Sequence, residues 1–208
     1  MRLLIRLSLL GLVLVASACT SKPEGAAVEP SEEAVVPPPE IDIEEQVARA
    51  AVIEHLTGEW ERPPLIFGLS DVSRTSYRLD PNAMPLSLPA ELQALSFETW
   101  AAFARRNALA APVDTARLGR VAGSIDPDRL GSMFSGGPHA GWEAFHAAYP
   151  DAGGFVVVSR VGISPDGAQA LVYASRHRSP VRASGGWWLL RREGGEWVVE
   201  ASVAEWVA

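Results

Sequence analysis

Apolar and polar positions alternate with period two over the last quarter of the chain, and the pattern is clearest there. Phe155 to Ile163 is a valine-rich run. Ser164-Pro165-Asp166-Gly167 reads as a turn, with proline presetting φ. Gln169 to His177 reads as the returning strand, with Ala170, Val172 and Ala174 on one face and Leu171 and Tyr173 on the other. Gly186 to Arg192 makes a third strand, Glu193-Gly194-Gly195-Glu196 a tight turn, and Trp197 to about Val207 a fourth. Strands joined by such short turns predict an antiparallel meander.

Upstream, the apolar spacing becomes helical. Asp42 can cap a helix that runs to about Thr57, with Glu45 as its capping-box partner and Gly58 as the stop. Val47, Ala51 and Ile53 to Leu56 give it a partial apolar face. After Pro63-Pro64, the run Leu65 to Leu69 reads as a short buried strand. A second helix spans Ser96 to about Asn107, with Phe97, Trp100, Ala101 and Ala104 on one side. A short helix starts at Asp126 with Pro127 in its first turn. Another starts near Pro138, carries Trp142, Phe145 and Tyr149 as a core stripe, and ends at Pro150. Helices followed by a sheet predict an α+β fold: N-terminal helices packed on a C-terminal four-stranded antiparallel meander, in one domain over 41–208.

The first forty residues fit neither pattern. Arg2 and Arg6 precede an apolar run from Leu7 to Val15, and Ala16-Ser17-Ala18 follow it. This order predicts a secretory signal peptide over 1–18, too short for a spanning helix, which needs about 20 apolar residues. Val15-Ala16-Ser17-Ala18-Cys19 resembles the lipobox of bacterial lipoproteins, with Ala16 where the family prefers leucine. The resemblance implies cleavage before Cys19, a diacylglycerol on its sulfur and, in many bacteria, an acyl chain such as palmitate on its amine. It also implies membrane attachment in the cell envelope. Thr20 in place of aspartate points to the periplasmic side of the outer membrane in a Gram-negative host. Each buried methylene adds about 0.8 kcal/mol, so two or three chains hold firmly. Residues 19–40 hold Pro23, Pro30 and Pro37-Pro38-Pro39 among five glutamates and no aromatic side chain. Such a segment is expected to be a disordered, extended tether.

Composition narrows the partners. The chain has 18 Lys+Arg against 25 Asp+Glu and a formal net charge of −7, and it becomes more acidic once Arg2 and Arg6 leave. That balance argues against a nucleic-acid partner and makes lipid, not charge, the means of membrane attachment. Cys19 is the single cysteine, so no internal disulfide can form.

Candidate chemistry is sparse. His55, His139, His146 and His177 lack the i, i+4 spacing of a helical zinc site, so no metal and no cofactor is expected. Ser132 and Ser135 lie in a glycine-rich stretch close to His139, which gives a nucleophile–base pair to test. Asp126 and Asp128 read as helix-start residues. Arg176, Arg178 and Arg182 cluster at the loop between the second and third strands, and Arg160 would join them across paired strands. They form either a small anion site or a solvated hairpin loop. Trp187 and Trp188 face opposite sides of their strand. One meets the helices; the other needs a partner, a ligand or a covering loop from residues 59–95.

The strand sequences Ser159–Ile163, Gln169–Tyr173, Gly186–Leu190 and Gly195–Val199 are similar to the C-terminal half of a group of uncharacterised bacterial proteins, which implies no activity. The sequence thus reads as a lipid-anchored envelope protein whose domain binds a small ligand or an envelope protein, with a periplasmic or cell-wall hydrolase as the alternative. Replacing Cys19 by Ser should move the protein from the membrane to the soluble fraction. Continued sedimentation with membranes would contradict the anchor.

Overall fold

Helix α1 (Ile43–Thr57) begins where the Asp42 carboxylate accepts the Glu45 N–H at 3.3 Å, and it ends at Gly58. The computed structural model describes residues 42–67, 77–108 and 115–208; the expected signal peptide, Cys19 and the 19–40 tether lie outside them. The capping box is only half formed. The Glu45 carboxylate turns inward, where it meets Arg49 of the same helix at 2.9 Å and Arg160 at 3.2 Å. It also accepts from Arg106 at 3.3 Å and from the Val161 N–H at 3.2 Å. Glu45 and Arg49 are 3 % and 1 % exposed, so this charge pair is fully desolvated. Burial pulls the Arg49 guanidinium below its ordinary value, and Glu45 pulls the other way.

Helix α2 (Phe97–Arg106) is capped by Ser96, whose hydroxyl accepts the Thr99 N–H. Trp100, Ala101 and Ala104 are buried as the helical spacing predicts, together with Phe103, whereas Phe97 is exposed. Helices α3 (Pro127–Phe134) and α4 (Pro138–Ala148) start at the expected prolines, with Asp126 capping α3.

The expected four-stranded antiparallel meander is overturned. Among the described residues the sheet has seven strands, β1 (Leu65–Phe67), β2 (Gly123–Ser124), β3 (Phe155–Val158), β4 (Gly162–Ile163), β5 (Gln169–Ser179), β6 (Arg182–Glu193) and β7 (Glu196–Val207); it is mixed, in the order β2-β1-β3-β5-β6-β7, with β4 also paired to β5. Strands β1 and β2 run parallel to each other, and β1 runs parallel to β3. The pairings of β5 with β3, with β4 and with β6, and of β6 with β7, are antiparallel. The physical reason lies in β1. Leu65 packs into one core and Ile66 into another, so the strand is buried on both faces and shows no alternation. Pairing β1 with β3 satisfies the backbone of both in the interior.

The single strand expected over Phe155–Ile163 is broken at Ser159–Val161. Side chains take up the backbone groups left there. Arg49 donates to the Ser159 carbonyl at 2.9 Å. Asn107, at the end of α2, accepts the Arg160 N–H at 2.9 Å and donates to its carbonyl at 3.0 Å. Glu45 takes the Val161 N–H.

Each face of the sheet has its own cover. On one face, Ala48, Val52, Ile53 and Leu56 of α1 pack on Val156, Val172, Trp188 and Leu190. The opposite face is covered in two sections. Trp100 and Phe103 of α2, with Leu92 and Leu95, cover Leu171, Tyr173, Trp187 and Leu189. Leu130, Trp142 and Phe145 of α3 and α4 cover Leu65 and Phe155.

Replacing Glu45 by Ala would strand Arg49 in the interior, at an expected cost of about 3–5 kcal/mol. Urea unfolding reads it, and a loss below about 1 kcal/mol would contradict the arrangement. Partial burial raises the Asp42 carboxyl, but the Arg106 hydrogen bond and charge and the Glu45 and Glu44 N–H groups outweigh it and hold it below the ordinary aspartate value. A depressed carboxyl stabilises the fold above its unfolded value and stops doing so as pH falls through the folded one. The stability gap between the parent and Asp42→Asn should therefore be full at neutral pH and shrink as pH falls through the ordinary carboxylate range and below it.

Candidate functional site

Alternation along β5 sends Tyr173, Ser175 and His177 to the face opposite α1. The register sets Phe155 beside His177 and Val157 beside Ser175. These five residues form the floor of a cavity of about 330 Å³. Its roof is Leu130 and Phe134 of α3 and Trp142 of α4. Phe134 reaches the roof because Gly141 has no side chain: a Cβ at Gly141 would run into the Phe134 ring.

The walls are mostly aromatic. Trp142 stacks on Phe155 at 5.6 Å and 19°, and Phe155 stacks on His177 at 4.6 Å and 11°. Phe134 stands edge-on to Trp142 at 5.6 Å and 90°. One corner is polar. The Ser175 hydroxyl, 4 % exposed as a residue, lies 3.0 Å from His177 Nε2. Nearby, the Trp206 N–H donates to the Tyr173 oxygen at 2.8 Å. Trp206 can lie across β6 because Gly185 stands beneath it, where a Cβ would meet the indole at 2.6 Å. An apolar enclosure with a few convergent polar groups is the usual make-up of a small-molecule site.

The residues expected from sequence are dispersed. Arg160 is bound to Glu45 and does not join the other arginines. Arg176 and Arg178 belong to β5 and Arg182 opens β6, so only Pro180-Val181 turns the chain. Arg178 lies over the Trp60 ring at 4.9 Å, and Arg176 donates to Ser184 and to the Leu56 carbonyl. Trp187 and Trp188 are both buried, at 1 % and 7 % exposure, so neither offers an open contact surface. Trp188 meets α1, while α2 and the 77–95 segment cover Trp187, with Phe103 at 5.2 Å and Tyr77 at 5.8 Å.

Ser132 and Ser135 are exposed on α3 and its cap and donate to the carbonyls of Arg129 and Ser132. His139 is exposed at the start of α4. Among the described residues no group of three or more His, Cys, Asp or Glu could hold a metal ion.

Continuing the β5 alternation past Tyr173 would have placed Ser175 and His177 on the same covered face. Two polar residues there were the available signal. Phe155 and Val157 had none, because both faces of β3 are apolar. No family model, curated protein or solved structure matches the chain.

Gly185→Val should displace the Trp206 indole and break its bond to Tyr173, at a cost of about 1–3 kcal/mol. A changed Trp206 indole N–H resonance would register it; an unchanged resonance and stability would show that the close approach does not constrain the ring.

Proposed function

We propose that this chain is a lipid-anchored envelope protein whose globular part binds a small, largely apolar molecule between α3–α4 and the sheet. The 330 Å³ aromatic cavity carries this reading. An apolar cavity of about 150 Å³ takes one benzene, so the site suits a guest of about two rings. Ring walls favour an aromatic guest, since stacked and edge-on contacts add to simple burial. The Ser175–His177 corner would orient one polar group of the guest. Cys19 would hold the protein to the membrane through covalent lipid, with residues 19–40 as a spacer. No helix among the described residues is long and apolar enough to cross a membrane.

Val157→Trp tests the reading by filling the cavity from its floor with an indole, itself a two-ring group. Naphthalene should quench the tryptophan fluorescence of the parent saturably, and Val157→Trp should weaken that binding at least about tenfold while keeping a cooperative unfolding transition. Equal binding in both proteins, or no saturable binding in the parent, would refute a guest at this place.

The Ser175–His177 distance favours a second reading, a periplasmic or cell-wall hydrolase with Ser175 as nucleophile and His177 as its base. Hydrolysis of an aryl ester, lost in Ser175→Ala, would support it. No turnover above the Ser175→Ala background would remove it.

A further inference from the structure

Val172 and Ala174 pack on the α1 side of β5, so alternation aims Ser175 the other way, into the aromatic cavity. Ser175 is 4 % exposed, and its hydroxyl pairs with His177 Nε2 at 3.0 Å. The neighbouring Tyr173 oxygen already takes the Trp206 N–H at 2.8 Å. Among the described residues, no Asp, Glu, Lys or Arg lines the space. The polar corner is therefore small, enclosed and without a fixed charge.

A neutral Ser175–His177 pair has two forms. With the ring proton on Nδ1, Ser175 donates to Nε2, and its oxygen keeps lone pairs for a donor. With the ring proton on Nε2, the ring donates to Ser175, and the hydroxyl hydrogen is left for an acceptor. A guest carbonyl serves only the second form, and a guest amine mainly the first. A hydroxyl donates and accepts through a single atom, so it serves either. In the first form it also extends a chain, guest O–H to Ser175 Oγ–H to His177 Nε2, in which each bond strengthens the next. A charged group fits poorly, because burying an ion without a partner of opposite sign costs far more than burying a hydroxyl. Among the groups that line the cavity, only a protonated His177 could meet a carboxylate. The ring walls already favour an aromatic guest, which makes the hydroxyl a phenolic one.

We propose that the aromatic cavity binds a neutral hydroxyarene, with its phenolic hydroxyl hydrogen-bonded to Ser175 Oγ and its rings beneath Phe134 and Trp142. The proposal rests on the reading of this cavity as a small-molecule site and adds the class of guest.

Equilibrium dialysis at neutral pH can compare naphthalene with β-naphthol, β-naphthaldehyde and β-naphthoate. In the parent, β-naphthol should bind at least about fivefold more tightly than naphthalene, the worth of one net hydrogen bond. The aldehyde and the carboxylate should both bind more weakly than β-naphthol. Ser175→Ala should bring β-naphthol level with naphthalene or below it, while its own binding of naphthalene shows that the cavity is intact. Three results would each overturn the hydroxyarene and leave the cavity a binding site: naphthalene held as tightly as β-naphthol in the parent, a preference for β-naphthol that survives Ser175→Ala, or tighter binding of the aldehyde or the carboxylate. No binding of any of the four, naphthalene included, would remove the site itself and the proposal with it.

Discussion

A buried carboxylate with three arginines around it determines where the helices lie. Glu45 meets Arg49 from its own helix, Arg106 from α2 and Arg160 from the break between β3 and β4. Removing these charges from water costs several kcal/mol per ion, and mutual attraction returns it only when the geometry is good and the remaining groups are hydrogen-bonded. Those conditions hold here. Arg49 also donates to the Ser159 carbonyl, and Glu45 also accepts the Val161 N–H. Such a cluster contributes position more than net stability, because any other register would leave a charge buried alone. It fixes α1 over one face of the sheet and the end of α2 beside the strand break on the other.

The aromatic cavity follows from that placement. With α2 held next to β4, its Trp100 and Phe103 reach the Leu171, Trp187 and Leu189 end of the face. The Phe155 and His177 end is left to α3 and α4, which arrive from a different part of the chain. The cavity lies under this second cover, between α3–α4 and the strands. Its roof is set by a close approach, Phe134 over Gly141. Rings seated against glycine have little room to swing inward and close the gap, which is the condition for a preformed site.

Local chemistry made much of the framework legible in the sequence. Asp42, Ser96 and Asp126 cap helices because short polar side chains reach backbone N–H groups that have no partner within the helix. The Ser164–Gly167 turn and the alternation in β5 were readable for similar local reasons. The parallel strands were not. A two-residue strand at Gly123-Ser124 carries no periodicity, and β1 betrays only that it is buried. Glu45 looked like a capping-box residue because its spacing from Asp42 is right, yet three distant arginines compete for it more strongly than one N–H does. Arg160 was drawn away from the other arginines by the same carboxylate. The aromatic cavity depends on which elements fail to touch, and sequence spacing carries little of that information.

The most direct test of the central claim is a crystal of the protein held under xenon, an apolar atom that enters dry cavities without chemical preference. Xenon density is expected between Trp142 and Val157, with Phe134 and Trp142 in the positions described here. A cavity closed by Phe134 or Trp142 collapsed onto Phe155, with no xenon at that place, would contradict a preformed apolar site.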